Sequence, residues 1–317
     1  MAVGFLIFLL GRFNVDLTAA KNQIQSANPF IYLAAFATYY SSFIVRGIRW
    51  RIIAANSGIG VDPGTTLPRI SECVLLTVVG WFGNAVTILR VGSAYRAYLF
   101  AKASNTTFSQ SLGIFLAERV VDGVVIFILM LTASLILILV NSINLSGSFL
   151  IMSTLIVIIG VGFIWLMGRF GLKIGGILPP RLRVQYGRFH RGTIGGLQRL
   201  PILSALSAVG WILEAGRLLL VIQSLGLSLN MPLAMFVAVV NGVLTMLPFT
   251  PGGLGVVEPG VAGVLLVRLS PTSAISVAVL DRSISFLSVI LIGAVLVSSQ
   301  RLWLRLSEPL EVERKGT

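Results

Sequence analysis

Between Pro248 and Glu258 the chain reads Pro-Phe-Thr-Pro-Gly-Gly-Leu-Gly-Val-Val-Glu, a helix breaker ending in a carboxylate and set in strongly apolar sequence. Pro251 sets a turn, and Gly252, Gly253 and Gly255 permit positive φ and close backbone approach. A helix restarting near Leu254 would aim unpaired N–H groups at whatever occupies the break, which suits an anion. A bilayer tolerates such irregular backbone only where it is buried in protein or lines a polar cavity. Glu258 is a cation-binding group, a proton carrier or a cap on the turn. Two further charge groups stand inside apolar stretches: Glu118, Arg119 and Asp122 within about one helical turn, and Glu214 and Arg217 three residues apart. The first group fits a solvated helix start or a polar site. The second fits a self-neutralising pair or a substrate contact, since intramembrane charges face a cavity or one another.

Other chemistries have little material. Cys73 and His190 are the only residues of their types, so no disulfide, Cys/His metal cluster or Cys–His nucleophile pair is available within the chain. Outside the C-terminal tail the acids are scattered, apart from Glu118 and Asp122, whereas hard cations want several oxygen ligands together. We therefore expect no catalytic residue, no metal and no cofactor. A metal-dependent transferase acting on an isoprenoid-phosphate lipid remains the enzymatic alternative.

The elements that must position these residues are helices in a membrane. Hydrophobic residues make up 56% of the 317 and charged ones 11%, and several apolar stretches approach or exceed the roughly 20 residues that cross a bilayer. The expected fold is all-α, a polytopic membrane helical bundle. Its crossings are 2–13, 30–51, 111–140, 149–168, 201–223 and 272–300, with two interrupted segments at 70–89 and 232–268. Residues 2–13 read as a short first helix rather than a signal peptide, because Arg12 and Asn14 stand where small residues would mark cleavage.

The net charge of +13 lies in loops at helix ends, as the positive-inside rule explains, so no nucleic-acid partner is expected. The linker 169–200 is basic and belongs in the cytoplasm, touching anionic headgroups. Arg46 and Arg51 beside Trp50 read as interfacial anchors. The loop 141–148 is uncharged and belongs outside. Both termini, including the charged tail 301–317, are then cytoplasmic, in a prokaryotic cytoplasmic membrane. If 70–89 dips in and returns, the series of two crossings, a re-entrant broken-helix hairpin and a crossing repeats with opposite orientation. One integral membrane domain over 1–317 would thus hold inverted half-repeats, 1–140 and 149–300. Asn84, Thr87 and Leu89 precede the first break as Asn241, Thr245 and Leu247 precede the second. Arg49 and Arg217, and Arg119 and Arg282, hold matching places.

The stretch 248–258 resembles the second motif of the lysylphosphatidylglycerol synthase transmembrane family, also called the flippase-like domain family. Asn84, Arg90, Gly92 and Arg96 are similar to its first motif, but a proline usual near Ile88–Leu89 is absent and Ser93 stands where glutamate is usual. Glu118-Arg119-Val-Val-Asp122, Arg282 and the stretch Arg46 to Trp50 also fit, with Asp281 in place of a common aromatic. The resemblance implies membrane lipid handling: translocation of modified phospholipids, or service to glycosyltransferases and isoprenoid-lipid pathways. It does not imply synthesis, because the soluble aminoacyl-transferase domain of bifunctional members has no counterpart here. It makes a lipid phosphate the expected anion, with Arg49, Arg96 and Arg282 as partners, and a separate lipid-modifying enzyme a possible associate. The missing carboxylate at Ser93 puts a cationic headgroup in question.

Overall fold

The computed structural model describes residues 17–141, 158, 162, 165–171, 176, 178–246 and 250–299. Span 2–13, most of span 149–168, the loop 141–148, the tail and Pro248 lie outside those residues. Every regular element among the described residues is helical. They are α1 (Leu17–Gln25), α2 (Pro29–Asn56), α3 (Ile70–Val86), α4 (Val91–Ala103), α5 (Phe108–Asn141), α6 (Pro180–His190), α7 (Leu200–Ser224), α8 (Met231–Met246), α9 (Val257–Leu265), α10 (Pro271–Arg282) and α11 (Ser288–Ser298). Three runs are long and apolar enough to cross a membrane: Phe108–Leu139, Leu200–Ser224 and Pro271–Ser298. The last joins α10 and α11 through a wider π turn at Ser283–Leu287. At 28 residues α2 is about 42 Å long.

Local signals fix where these helices begin. Asn28 accepts hydrogen bonds from the N–H groups of Phe30 and Ile31, at 3.0 and 3.3 Å, with Pro29 in the first turn. Ser270 caps α10 in the same way, accepting from Ser273 N at 3.3 Å. Three helices, α1, α4 and α6, were not anticipated from the apolar pattern, and the return of the first hairpin lies in α4, beyond the expected 70–89. Helix α1 lies against α10, where Gln23 bonds Ser273. Helix α6 makes the basic linker an ordered part of the bundle, its Gln185 accepting from Ser109 at 2.6 Å. Helices α1 and α6 are short and amphipathic, so they carry no long apolar run to detect.

The core is built on α2 and α7, which run antiparallel. Asn28 N donates to Ser224 O at 2.7 Å, Arg46 meets Glu214 mid-helix, and Asn56 Nδ2 donates to Gln198 O at 2.6 Å. Helices α3 and α4 form a hairpin whose ends return to one level, Thr66 N donating to Ser104 O at 3.0 Å. Ser57, Asp62, Gln110 and Arg191 gather at the same end of the bundle. Helices α8 and α9 form the second hairpin, starting beside the C-terminus of α7 at the opposite end. The two tips meet at mid-bundle: Arg90 Nη1 donates to Thr245 O at 2.7 Å.

Candidate functional site

At the first tip the helix breaks without glycine or proline at the break. Leu89 and Arg90 adopt left-handed φ of 61° and 56°, a conformation that costs roughly 1–2 kcal/mol per non-glycine residue. Asn84 holds the break: its Oδ1 accepts from Ser93 N and its Nδ2 donates to Ser93 Oγ, both at 3.0 Å. Gly83 and Gly92 allow this approach, since a Cβ on Gly83 would lie 2.6 Å from Gly92 Cα. Ser93, uncharged, is part of the clasp.

The second tip behaves differently from the expectation of free N–H groups. Helix α9 begins at Val257, not near Leu254. Gly253 N donates to Thr250 O, Leu254 N to Pro251 O and Val256 N to Gly253 O, at 3.1–3.2 Å. Gly255 N is taken by Glu258 Oε2 at 2.7 Å. The other carboxylate oxygen, Oε1, accepts from Arg282 Nε at 2.7 Å, and Arg282 Nη2 donates to Gly252 O at 2.8 Å. With φ of 56°, 75° and 78° at Gly252, Gly253 and Gly255, the turn satisfies its own backbone. Three consecutive tight turns consume the donors that a longer helix would have left free. Glu258 therefore clamps the turn from within.

Three charge networks surround this junction. In the first, Arg49 forks onto Asp122, bonding both oxygens, and reaches Glu118 Oε1 at 3.0 Å. Arg96 lies 3.1 Å from Glu118 Oε2 and 3.6 Å above the Trp50 ring. Ser207 Oγ donates to Asp122 at 2.6 Å. Glu118 and Asp122 are buried, so the solvated helix start is excluded. In the second, Glu214 joins Arg46 and Arg217, each at 3.2 Å, and Arg217 continues to Asp281. Arg282 with Glu258 is the third. Paired geometry of this kind offsets the large penalty of burying charge.

Arg46 corrects the anchor reading: it is buried, held between the rings of Trp81 and Trp211 at 5.1 and 5.5 Å. Its spacing from Tyr39 and Trp50, seven residues back and four on, marks the inward face of α2 and was the available signal. Arg51 is half-buried and donates to Pro68 O at 3.0 Å. Asp281 was read only as a departure from an aromatic, yet it receives Arg217 and Asn241. Among the described residues no group of three or more His, Cys, Asp or Glu side chains could hold a metal.

A cavity opens between the two tips. Of the residues expected from the sequence, Asn84, Arg90, Arg119, Glu214, Arg217, Asn241, Gly252 and Arg282 line it, joined by Arg46 and Tyr39. Trp81, Trp211 and Phe286 supply aromatic walls. Arg49, Arg96, Glu118, Pro251, Gly253, Gly255 and Glu258 stand behind, supporting the lining. Five arginines thus face one carboxylate. Glu214 has both oxygens engaged, whereas Arg90 has no carboxylate within 4 Å among the described residues. Arg119 reaches Glu118 and Asp122 only at 3.4 and 3.7 Å. The lining thus carries more positive than negative charge.

The chain is similar to a UPF0104 membrane protein of Methanocaldococcus jannaschii, 31% identical over 68% of this chain and 92% of that one. A UPF0104 membrane protein of Methanothermobacter thermautotrophicus is 24% identical over 93% and 90%. The glycosyltransferase AglD of Haloferax volcanii is 24% identical over 85% of this chain and 49% of its own length. The model of the lysylphosphatidylglycerol synthase TM region matches residues 1–293, and with its charged broken-helix motifs at the bundle centre the chain belongs to that family of integral membrane proteins.

Proposed function

We propose that the protein is a lipid translocase, or headgroup-binding lipid transporter, that receives an anionic phosphate headgroup in the cavity between its two broken hairpins. The observation that carries this reading is the lining: five arginines, two of them poorly neutralised, against one fully engaged carboxylate. A membrane-depth anion site needs that surplus, because an isolated charge there is expensive. Arg90 and Arg119 contact the phosphate, Arg46, Arg217 and Arg282 shape the field, and the aromatic walls pack the glycerol or isoprenoid neck. No covalent step is involved.

The hairpins are re-entrant in this reading, entering from opposite faces within an inverted repeat of about six crossings. The return of Thr66 to Ser104, the antiparallel pairing of α2 with α7 and the meeting of the tips support it. The end that gathers Arg191, Asp62 and Gln110 also carries Arg51, Arg69, Lys102 and the arginines of α6, which favours a cytoplasmic assignment. Both termini follow on that side, in a prokaryotic cytoplasmic membrane.

The test is leaflet exchange of a tail-labelled anionic phospholipid in proteoliposomes of the pure chain. Wild type should accelerate exchange at least tenfold over protein-free vesicles, with Arg90→Gln losing most of the gain. Exchange at the protein-free rate would sink the proposal. The half-length match to a glycosyltransferase favours one second reading, a non-transporting scaffold for a separate lipid-modifying enzyme. It predicts no exchange, and co-purification with an enzyme that survives Arg90→Gln.

A further inference from the structure

We infer that the cavity selects a lipid bearing a terminal phosphate, a phosphomonoester or diphosphate with about two negative charges, and disfavours headgroups that carry an ammonium. This rests on the cavity reading above and narrows it to a substrate class.

Charge matching within the described residues sets the class. Arg46 and Arg217 are balanced by Glu214 and Asp281, and Arg282 by Glu258. Arg49 and Arg96 are balanced by Glu118 and Asp122. In the three networks and at the cavity wall, seven arginines stand against five carboxylates, and the two held least closely are the cavity-wall residues Arg90 and Arg119. They share one cavity and repel one another across it. A single phosphodiester brings one negative charge and leaves half of that surplus unanswered. A terminal phosphate brings about two at neutral pH, and a guanidinium pair matches its oxygens in fork geometry.

An ammonium, by contrast, meets no carboxylate free of an arginine among the described lining residues. Glu214 gives one oxygen to Arg46 and the other to Arg217, and Glu258 gives its two to Gly255 and Arg282. Asp281 is held by Arg217 and Asn241. Ser93, placed where a carboxylate could have met a cation, is uncharged and bonded to Asn84. A lysyl headgroup would add positive charge to a site already in surplus.

The experiment uses the full chain in nanodiscs of neutral phosphatidylcholine and measures binding of four probes: phosphatidate, phosphatidylglycerol with the same tails, lysylphosphatidylglycerol and inorganic phosphate. Phosphatidate should bind at least tenfold more tightly than phosphatidylglycerol, with lysylphosphatidylglycerol weaker still. Arg90→Gln and Arg119→Gln should each remove most of the preference, and Arg90→Lys, which keeps the charge but not the fork, should retain part of it, which separates charge from folding. Equal or tighter binding of phosphatidylglycerol or its lysyl form overturns the inference and leaves the cavity reading standing. Inorganic phosphate binding as tightly as phosphatidate overturns the lipid source. Lipid binding unaffected by either glutamine variant removes the cavity reading itself.

Discussion

Arg49 and Glu258 are charged side chains engaged by partners inside the protein, behind the cavity wall. Arg49 is fully buried and forked onto Asp122, so Arg49→Ala leaves Asp122 with only Ser207 and a more distant Arg119, and takes one of the arginines from Glu118. Breaking a buried pair on one side costs about 3–5 kcal/mol, and we expect loss of the monodisperse particle in detergent at temperatures where wild type persists. Glu258→Gln keeps the shape of the clamp but weakens its charge-assisted bond to Arg282. Its expected effect is a melting point a few degrees lower, with anion binding reduced less than by Arg90→Gln. The reverse order would show that Glu258 meets the ligand. Sequence reading placed Arg49 at the ligand and left Glu258 open between cation binding, proton carrying and capping the turn, because neither spacing nor composition reveals which partner an intramembrane charge has chosen. Arg46 went the other way: beside Trp50 its type matched an interfacial belt, and only the packing of α7 shows that it points inward.

At the scale of elements, the two breaks reach one geometry by different means. The second was legible in its glycines. The first was legible only as a departure, since its motif lacks the usual proline and the chain bends through left-handed Leu89 and Arg90 held by the Asn84–Ser93 clasp. Their substitutions should therefore differ. At Gly252, with φ of 56° and the Phe286 ring beside it, Gly252→Ala adds about 1–2 kcal/mol of backbone strain plus a steric clash. Leu89→Gly relieves similar strain while adding about 0.5–1 kcal/mol of chain entropy, so it should be near neutral. Thermal melting of the two variants checks the contrast. The long apolar helices were readable because hydrophobic runs of that length have few other uses. Helices α1 and α6 were not, being short, amphipathic and stabilised by tertiary contacts.

For the whole molecule, the inverted arrangement makes a prediction about sides. In a Cys73→Ala background, single cysteines at exposed Val61 and Lys102, before and after the first hairpin, should label from one face of the membrane. Cysteines at exposed Ser228 and Arg268, flanking the second hairpin, should label from the other. Labelling of Val61 and Lys102 from opposite faces would make the first hairpin a crossing and remove the inversion. In sequence the proposed symmetry rests on short Asn, Thr and Leu matches. What sequence did not show is that the tips touch and that the networks leave their uncompensated charge at the junction. That depends on contacts between residues more than a hundred positions apart, such as Arg90 with Thr245 and Arg46 with Glu214.

The most direct test of a headgroup seated between the tips is photo-crosslinking with a lipid phosphate carrying a diazirine next to its phosphate, followed by peptide mapping. Adducts should fall on the cavity wall, on residues 84–90 of the first tip, around Arg119 and from Asn241 to Gly252, and an excess of unlabelled phosphatidate should suppress them. Adducts confined to outward-facing apolar positions such as Leu139 or Leu291, insensitive to competitor and to Arg90→Gln, would contradict the account.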